Sequence, residues 1–292
     1  MPDAAYLAQT LVNGLSVGCI YGLIGIGFCV IYNASGIVNF AQGAFVMLGG
    51  MVTFVLLTSL GIPMILAGAL ATVAVALLGV VIERLVVRPL WDRHASMFVM
   101  ILATLAAQIV IERATLIAVG DQPKSIPVFT DLAPLRIGGV AIGYQIIWII
   151  ASSLLLIGAL ALFFQRTLVG RAMRACSINR EAAALQGIPV SRMLALSFAV
   201  SAALGAIAGI LVTPTQFTAF NVGTPFAISG FIAAIVGGFG RPFGAFLGGI
   251  ALGLAQALAV FALGSGLKNV AALAVLLVFL FFRPSGILSA PK

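Results

Sequence analysis

The chain has 292 residues, of which 62% are hydrophobic and 8% charged, with a mean hydropathy of +1.24 and a net charge of +8. A soluble domain carries about 25% charged residues; a water-facing surface cannot be built from so few, so lipid must be the solvent for most of the chain. The positive charge sits in short loops beside apolar runs, which reads as a topology signal and excludes a nucleic-acid-binding patch.

Apolar runs fall at 11–32, 36–60, 64–82, 96–119, 141–165, 193–213, 226–240, 243–263 and 267–283. They predict an all-α polytopic transmembrane bundle of about 8–10 spans, each near 20 residues, forming one domain over 1–292. The opening Met-Pro-Asp-Ala-Ala-Tyr lacks the basic region of a secretory signal, and the first run is longer than a signal core, so it is expected to be a retained span. The second run carries Asn39 and Gln42 between Gly36 and Gly43 and is expected to be a broken helix. The run 226–240 is short for a span and reads as a half-helix or a re-entrant segment.

Loop charge orients the bundle. Arg84, Arg88 and Arg93 lie in the loop 83–95, and Arg166, Arg171, Arg174, Arg180 and Arg192 in the loop 166–192. The loop 120–140 is balanced, with Lys124 and Arg136 against Asp121 and Asp131. The two arginine-rich loops are therefore expected in the cytoplasm, joined by Arg241, Arg283 and Lys292, and the proline-bearing loop outside. Gly14, Gly18 and Gly22 recur every four residues, as do Gly205 and Gly209, and Gly240, Gly244 and Gly248; such ridges let helix backbones pack closely in lipid. A weak echo between 43–50 and 244–249 hints at an internal repeat.

The seven acidic residues, Asp3, Glu83, Asp92, Glu112, Asp121, Asp131 and Glu181, lie in loops or near the ends of apolar runs, and the single histidine, His94, lies in a basic loop. A proton-coupled carrier usually holds an ionisable group at mid-membrane, so the energy for transport is expected from outside the bilayer. The three cysteines have no metal or redox spacing. No metalloprotease, nucleophile-elbow or phosphate-loop motif occurs, so no catalytic residue, no metal ligand and no cofactor site is expected in this chain.

Within 166–192, Asn179 is a candidate N-cap, Glu181 suits the first turn of a helix, and Gly187 followed by Pro189 suits its end. A short helix outside the membrane with small side chains suits either a docking surface for another protein or a basic loop that only fixes topology. Glu181-Ala182-Ala183 followed by Gly187 resembles the E-A-A-x-x-x-G signature of ATP-binding cassette (ABC) importer permeases. The arginine-rich lead-in that includes Arg174, the stretch Tyr21-Gly-Leu-Ile-Gly-Ile-Gly, then Gly36-Ile-Val-Asn-Phe-Ala41, Val236-Gly-Gly-Phe-Gly240 and Pro284-Ser-Gly-Ile-Leu288 are similar to the high-affinity branched-chain amino acid permeases of that class. The resemblance covers nearly the whole chain. It implies an inner-membrane subunit that pairs with a second homologous permease chain, two ATPase subunits that bind the ATP, and a soluble substrate-binding protein. It also implies that Arg174, Glu181, Ala182, Ala183 and Gly187 couple the permease to the ATPases.

Asn33, Ser35, Asn39 and Gln42 are polar groups in apolar sequence, so they are expected to face the bundle interior. Asn33, Asn39 and Gln42 are the candidates for lining the translocation pathway; the alternative for each is interhelical hydrogen bonding. The related permeases usually read N-F-A-H-G-E where this chain reads Asn39-Phe-Ala-Gln-Gly-Ala44, so Gln42 and Ala44 replace two ionisable groups. That departure keeps urea, short-chain amides and small carboxylates beside branched-chain amino acids as candidate solutes. An ion-coupled secondary transporter and a membrane enzyme are the rival classes.

Overall fold

The computed structural model describes residues 4–137, 139–283 and 286–287. Asp3, Lys292, and Pro284, Ser285 and Leu288 of the C-terminal motif lie outside the described residues. The helices, in chain order, are α1 (Ala4–Ser35), α2 (Gln42–Ser59), α3 (Met64–Ile82), α4 (Arg88–Asp92), α5 (Met97–Val119), α6 (Tyr144–Arg166), α7 (Leu168–Ile178), α8 (Arg180–Leu185), α9 (Val190–Gln216), α10 (Gly223–Gly237), α11 (Pro242–Leu263) and α12 (Lys268–Phe282). A π-helical turn at Glu83–Val87 joins α3 to α4, and a small hairpin pairs Leu135–Ile137 with Val140–Ile142. Among the described residues eight helical stretches are long and apolar enough to cross a membrane, and α10 is a shorter ninth apolar helix. The expected all-α polytopic bundle is thus what the chain forms.

Two chain breaks organise the centre. The second apolar run does not begin as a helix: residues 36–41 are irregular, with Gly36 at φ +66°, and α2 starts only at Gln42. Gln42 reaches Ser201 in the middle of α9, and Ser201 reaches Gly27, eight residues before the end of α1. The chain therefore leaves α1 at one face and turns back inward before helix resumes. The same device recurs after α9. Phe217 takes φ +58°, residues 217–222 turn inward, and α10 begins at Gly223, against Gly43 at the start of α2. A Cβ on either of these glycines would lie 2.5 Å from the other's carbonyl oxygen, a reciprocal contact of the kind a two-fold axis makes.

The packing follows that axis. Helix α1 packs on α11 as α9 packs on α3, α1 on α10 as α9 on α2, and α2 on α3 as α10 on α11. The units α1–α2–α3 and α9–α10–α11 thus form an inverted repeat of the type common in transporters. This corrects the sequence echo, which aligned α2 with α11; the repeat aligns α2 with α10 and α3 with α11. The echo came from glycine ridges, which any close helix crossing selects. Gly14, Gly18 and Gly22 of α1 lie on Gly253, Gly249 and Phe246 of antiparallel α11, and Gly209 of α9 lies on Val46 of α2. In lipid such close backbone approach replaces the hydrophobic effect as the packing force.

Contacts sort the ends of the helices to two faces. Gln9 Oε1 accepts the Ala141 N–H (2.8 Å), Lys124 pairs with Thr218, and Tyr6 stacks on Phe261, so these ends share one face. Asn33 meets Gly240 and Gly36 meets Arg180 at the other, where Ile287 N–H bonds Val236 O (2.9 Å). The arginines of 83–93, 166–192, Arg241 and Arg283 all belong to this second face, the one the positive-inside rule predicts to be cytoplasmic. Ser177 and Ser125 are both exposed, on opposite faces, and the native cysteines are buried. With those cysteines replaced, Ser177→Cys should react with a membrane-impermeant maleimide only from the cytoplasmic side and Ser125→Cys only from outside. The reverse pattern would invert the bundle.

Candidate translocation and coupling site

The loop 166–192, on the basic face, folds into two helices joined at a single residue. Thr167 caps α7, its Oγ1 accepting the Gly170 N–H (2.9 Å). Gly170, Met173 and Cys176 form the buried stripe of α7. Burial raises the Cys176 thiol pKa against the opposing pull of the Arg180 charge, so the thiol is a packed, protonated group. This helix was not foreseen from the sequence; its signal was the Thr167 cap followed by small or apolar residues every three positions.

Asn179 then caps α8, its Oδ1 accepting the Ala182 N–H (3.0 Å). The helix ends as its sequence dictates: Gly187 takes φ +77°, its N–H bonds Ala184 O (2.9 Å), and Ile188 N–H bonds Ala183 O (3.1 Å) before Pro189. Ala183 is the buried side of this turn, while Glu181, Ala182 and Leu185 are exposed, Leu185 to 87%. Leu185 thus gives the exposed side of α8 an apolar tip among small side chains.

Arg180 links α8 to the bundle. Its guanidinium lies 4.7 Å from the Trp91 ring centre on α4, and a Cβ on Gly36 would come within 3.2 Å of it. The first residue of α8 thus touches both the 83–95 loop and the start of the first chain break. No spacing in the sequence pairs residues 36, 91 and 180. The loop 83–95 is itself held by Glu83, fully buried, which accepts two bonds from Arg88 (3.0 Å each), while Arg88 also donates to Ser191 O (3.1 Å) in the first turn of α9.

Asn33 and Arg174 line one cavity of about 590 Å³ between α1, α6, α7 and the 238–241 turn, with Phe164, Ser177 and Ser197. Asn33 Nδ2 donates to Gly240 O (2.7 Å), tying the end of α1 to the turn before α11. Asn39, within the first break, and Gln42, the first residue of α2, lie elsewhere and are wholly buried. Asn39 Oδ1 accepts the Ala41 N–H (3.1 Å), but its Nδ2 has no partner. Gln42 Nε2 donates to Ser201 O (3.2 Å); the Ser201 hydroxyl proton has two acceptors in reach, Gln42 Oε1 at 2.7 Å and Gly27 O at 2.9 Å. Gln42 therefore joins α2, α9 and α1 at one point. The structure brings Asn33 together with Arg174, and Asn39 with Gln42, but leaves Glu181, Ala182 and Gly187 out at the tip of the basic face.

The profile of the branched-chain amino acid transport system / permease component family matches residues 10–282. The chain belongs to this family. It is 34% identical to the high-affinity branched-chain amino acid transport system permease protein BraD of Pseudomonas aeruginosa, over 100% of this chain and 99% of that one. Identity is 30% with the permease protein LivH of Escherichia coli strain K12, over 98% and 97%, and 30% with a probable LivH of Methanocaldococcus jannaschii, over 91% and 87%. Among solved structures it resembles PsaBC from Streptococcus pneumoniae in complex with Fab, with a TM-score of 0.54 and 12% identity, covering 96% of this chain and 92% of that one. That likeness is one of fold alone. The permease is a multi-pass membrane protein.

Proposed function

We propose that this permease is the membrane-spanning subunit of an ABC importer that moves branched-chain amino acids inward. It works with a second permease chain, two ATPase subunits that bind and hydrolyse ATP, and a soluble binding protein that delivers the solute; the permease itself performs no catalysis. The observation that carries the reading is α8: a helix capped at both ends, bearing E-A-A-x-x-x-G, exposed at the basic face with Leu185 uncovered. The names of the full-length relatives support the solute class.

In this reading Glu181, Ala182, Ala183 and Gly187 form the surface that rests on the ATPase, with Arg174 behind it. Closure of the ATPases displaces α8, and Arg180 transmits the displacement to Trp91 and Gly36. The first break is where that motion can be absorbed, because residues 36–41 are bound by few backbone bonds. Asn33, Asn39 and Gln42 mark the pathway beside this break: the unpartnered Asn39 amide and the Gln42–Ser201 pair are groups whose bonds can exchange as the bundle tilts. Extracted in detergent by an affinity tag, the permease should carry ATPase subunits with it, and Leu185→Asp should lose them. Recovery of the ATPases undiminished with Leu185→Asp would contradict docking at α8.

A further inference from the structure

With Gln42 and Ala44 in place of ionisable groups, the first break holds no charge, so the recognition of a charged solute has to be sought elsewhere. Helix α5 carries Glu112 and Arg113 inside a membrane span. Glu112 lies seven residues before the end of a helix long enough to cross a hydrocarbon core about 30 Å thick, about 10 Å along its axis from that end. An ionisable side chain at that depth faces water, a partner or a ligand.

The two charges reach the second chain break from one side. Thr224, in the first turn of α10, donates from Oγ1 to Glu112 Oε1 (3.0 Å), and Gln108 Nε2 donates both to Glu112 Oε1 (3.0 Å) and to Thr224 Oγ1 (2.7 Å). The Arg113 guanidinium lies 5.9 Å from the ring centre of Phe220, within the inward-turning segment 217–222. Both bonds to the carboxylate fall on Oε1; among the described residues Oε2 accepts none. Gln108 is 5% exposed, yet its Oε1 has no partner. A buried amide oxygen left unsatisfied is destabilising, and two uncommitted oxygens on adjoining groups suit a donor with several protons. One turn earlier, Thr104 Oγ1 accepts the Phe40 N–H (3.2 Å) of the first break, so the cluster adjoins both breaks.

We propose that Glu112, Gln108 and Thr224 form the permease's own solute site, and that it binds the ammonium of a zwitterionic α-amino acid, with Arg113 and the positive end of α10 facing the carboxylate. Glu112 Oε2 and Gln108 Oε1 accept from the ammonium. Thr224 holds the carboxylate group of Glu112 in place. The α10 dipole presents its positive end in the way that broken transporter helices turn theirs toward anionic substrate groups. The side chain of the solute then lies along the apolar rim near Phe220. This assignment rests on the reading of the permease as an amino acid importer subunit.

The test is equilibrium binding of radiolabelled L-leucine to the purified permease–ATPase complex without the binding protein, alongside ATP-driven leucine uptake by the complete importer in vesicles. Native complex should bind leucine, and 4-methylpentanoate, which lacks the ammonium, should not compete. Glu112→Gln should weaken binding roughly ten-fold or more, as loss of a charge-assisted bond does, and Glu112→Asp should restore part of it. Should Glu112→Gln fail to assemble, Thr224→Val is measured in its place and should weaken binding in the same way. Native uptake with no leucine binding, or binding that is equal in native and variant complexes, would overturn the site. Native vesicles that import no leucine at all would instead overturn the functional reading.

Discussion

Glu181→Lys should cut ATP-driven uptake by roughly ten-fold or more while the permease still inserts, folds and assembles as a helix bundle. Glu181 is exposed in the first turn of α8. There a carboxylate gains about 0.3–1 kcal/mol from the helix dipole, so reversing its charge perturbs a six-residue helix and leaves the membrane core untouched. What it changes is the surface offered to the ATPase. Gly187→Pro acts on the same element by a different route. Proline cannot adopt φ +77°, and it removes the N–H that bonds Ala184 O at 2.9 Å, so the end of α8 must unwind. Uptake and ATP hydrolysis measured together on reconstituted importer distinguish uncoupling from misfolding. Undiminished uptake by a folded Gly187→Pro permease would show that α8 transmits nothing.

Gln42→Leu is expected to lower stability by about 1–3 kcal/mol, because it strips the amide's bonds to Ser201 from a fully buried junction of three helices. Leucine also crowds Gly27, whose Cα faces the Gln42 amide. Asn39→Leu should behave oppositely. The Asn39 Nδ2 is already buried without a partner, so its removal offsets the loss of the single bond to Ala41, and the melting temperature should move little. If Asn39 marks the pathway, uptake per folded molecule should nonetheless fall. Thermal unfolding and uptake measured on both variants separate the roles: a large loss of stability with Asn39→Leu and normal uptake per folded molecule would make it a structural residue.

Much of the architecture was legible in the sequence because lipid imposes a simple rule: backbone groups must be satisfied within each segment. The nine apolar runs correspond to the nine apolar helices, and the short run at 226–240 corresponds to α10, which starts three residues earlier at Gly223 and inside the bundle. The caps of α8 were readable because Asn179, Gly187 and Pro189 act on their own neighbours. The first break was signalled by Gly36, but the helix restarts at Gln42 because Gln42 finds its partner on α9, 159 positions away. The inverted repeat was misaligned for the same reason: its axis passes through Gly43 and Gly223, and only their mutual contact reveals the correspondence. Glu112 read as an end-of-helix acid because its partner Thr224 lies on another helix, 112 positions away, and Arg180 read as one more topological arginine because Trp91 is distant in sequence.

The central claim is that this permease draws its energy from ATP hydrolysed on other chains. It is tested most directly by leucine uptake into vesicles containing the assembled importer, with binding protein outside and either ATP inside or an imposed proton or sodium gradient. Uptake should require enclosed ATP and the binding protein and be indifferent to both gradients. Uptake driven by a gradient in the absence of ATP would contradict it.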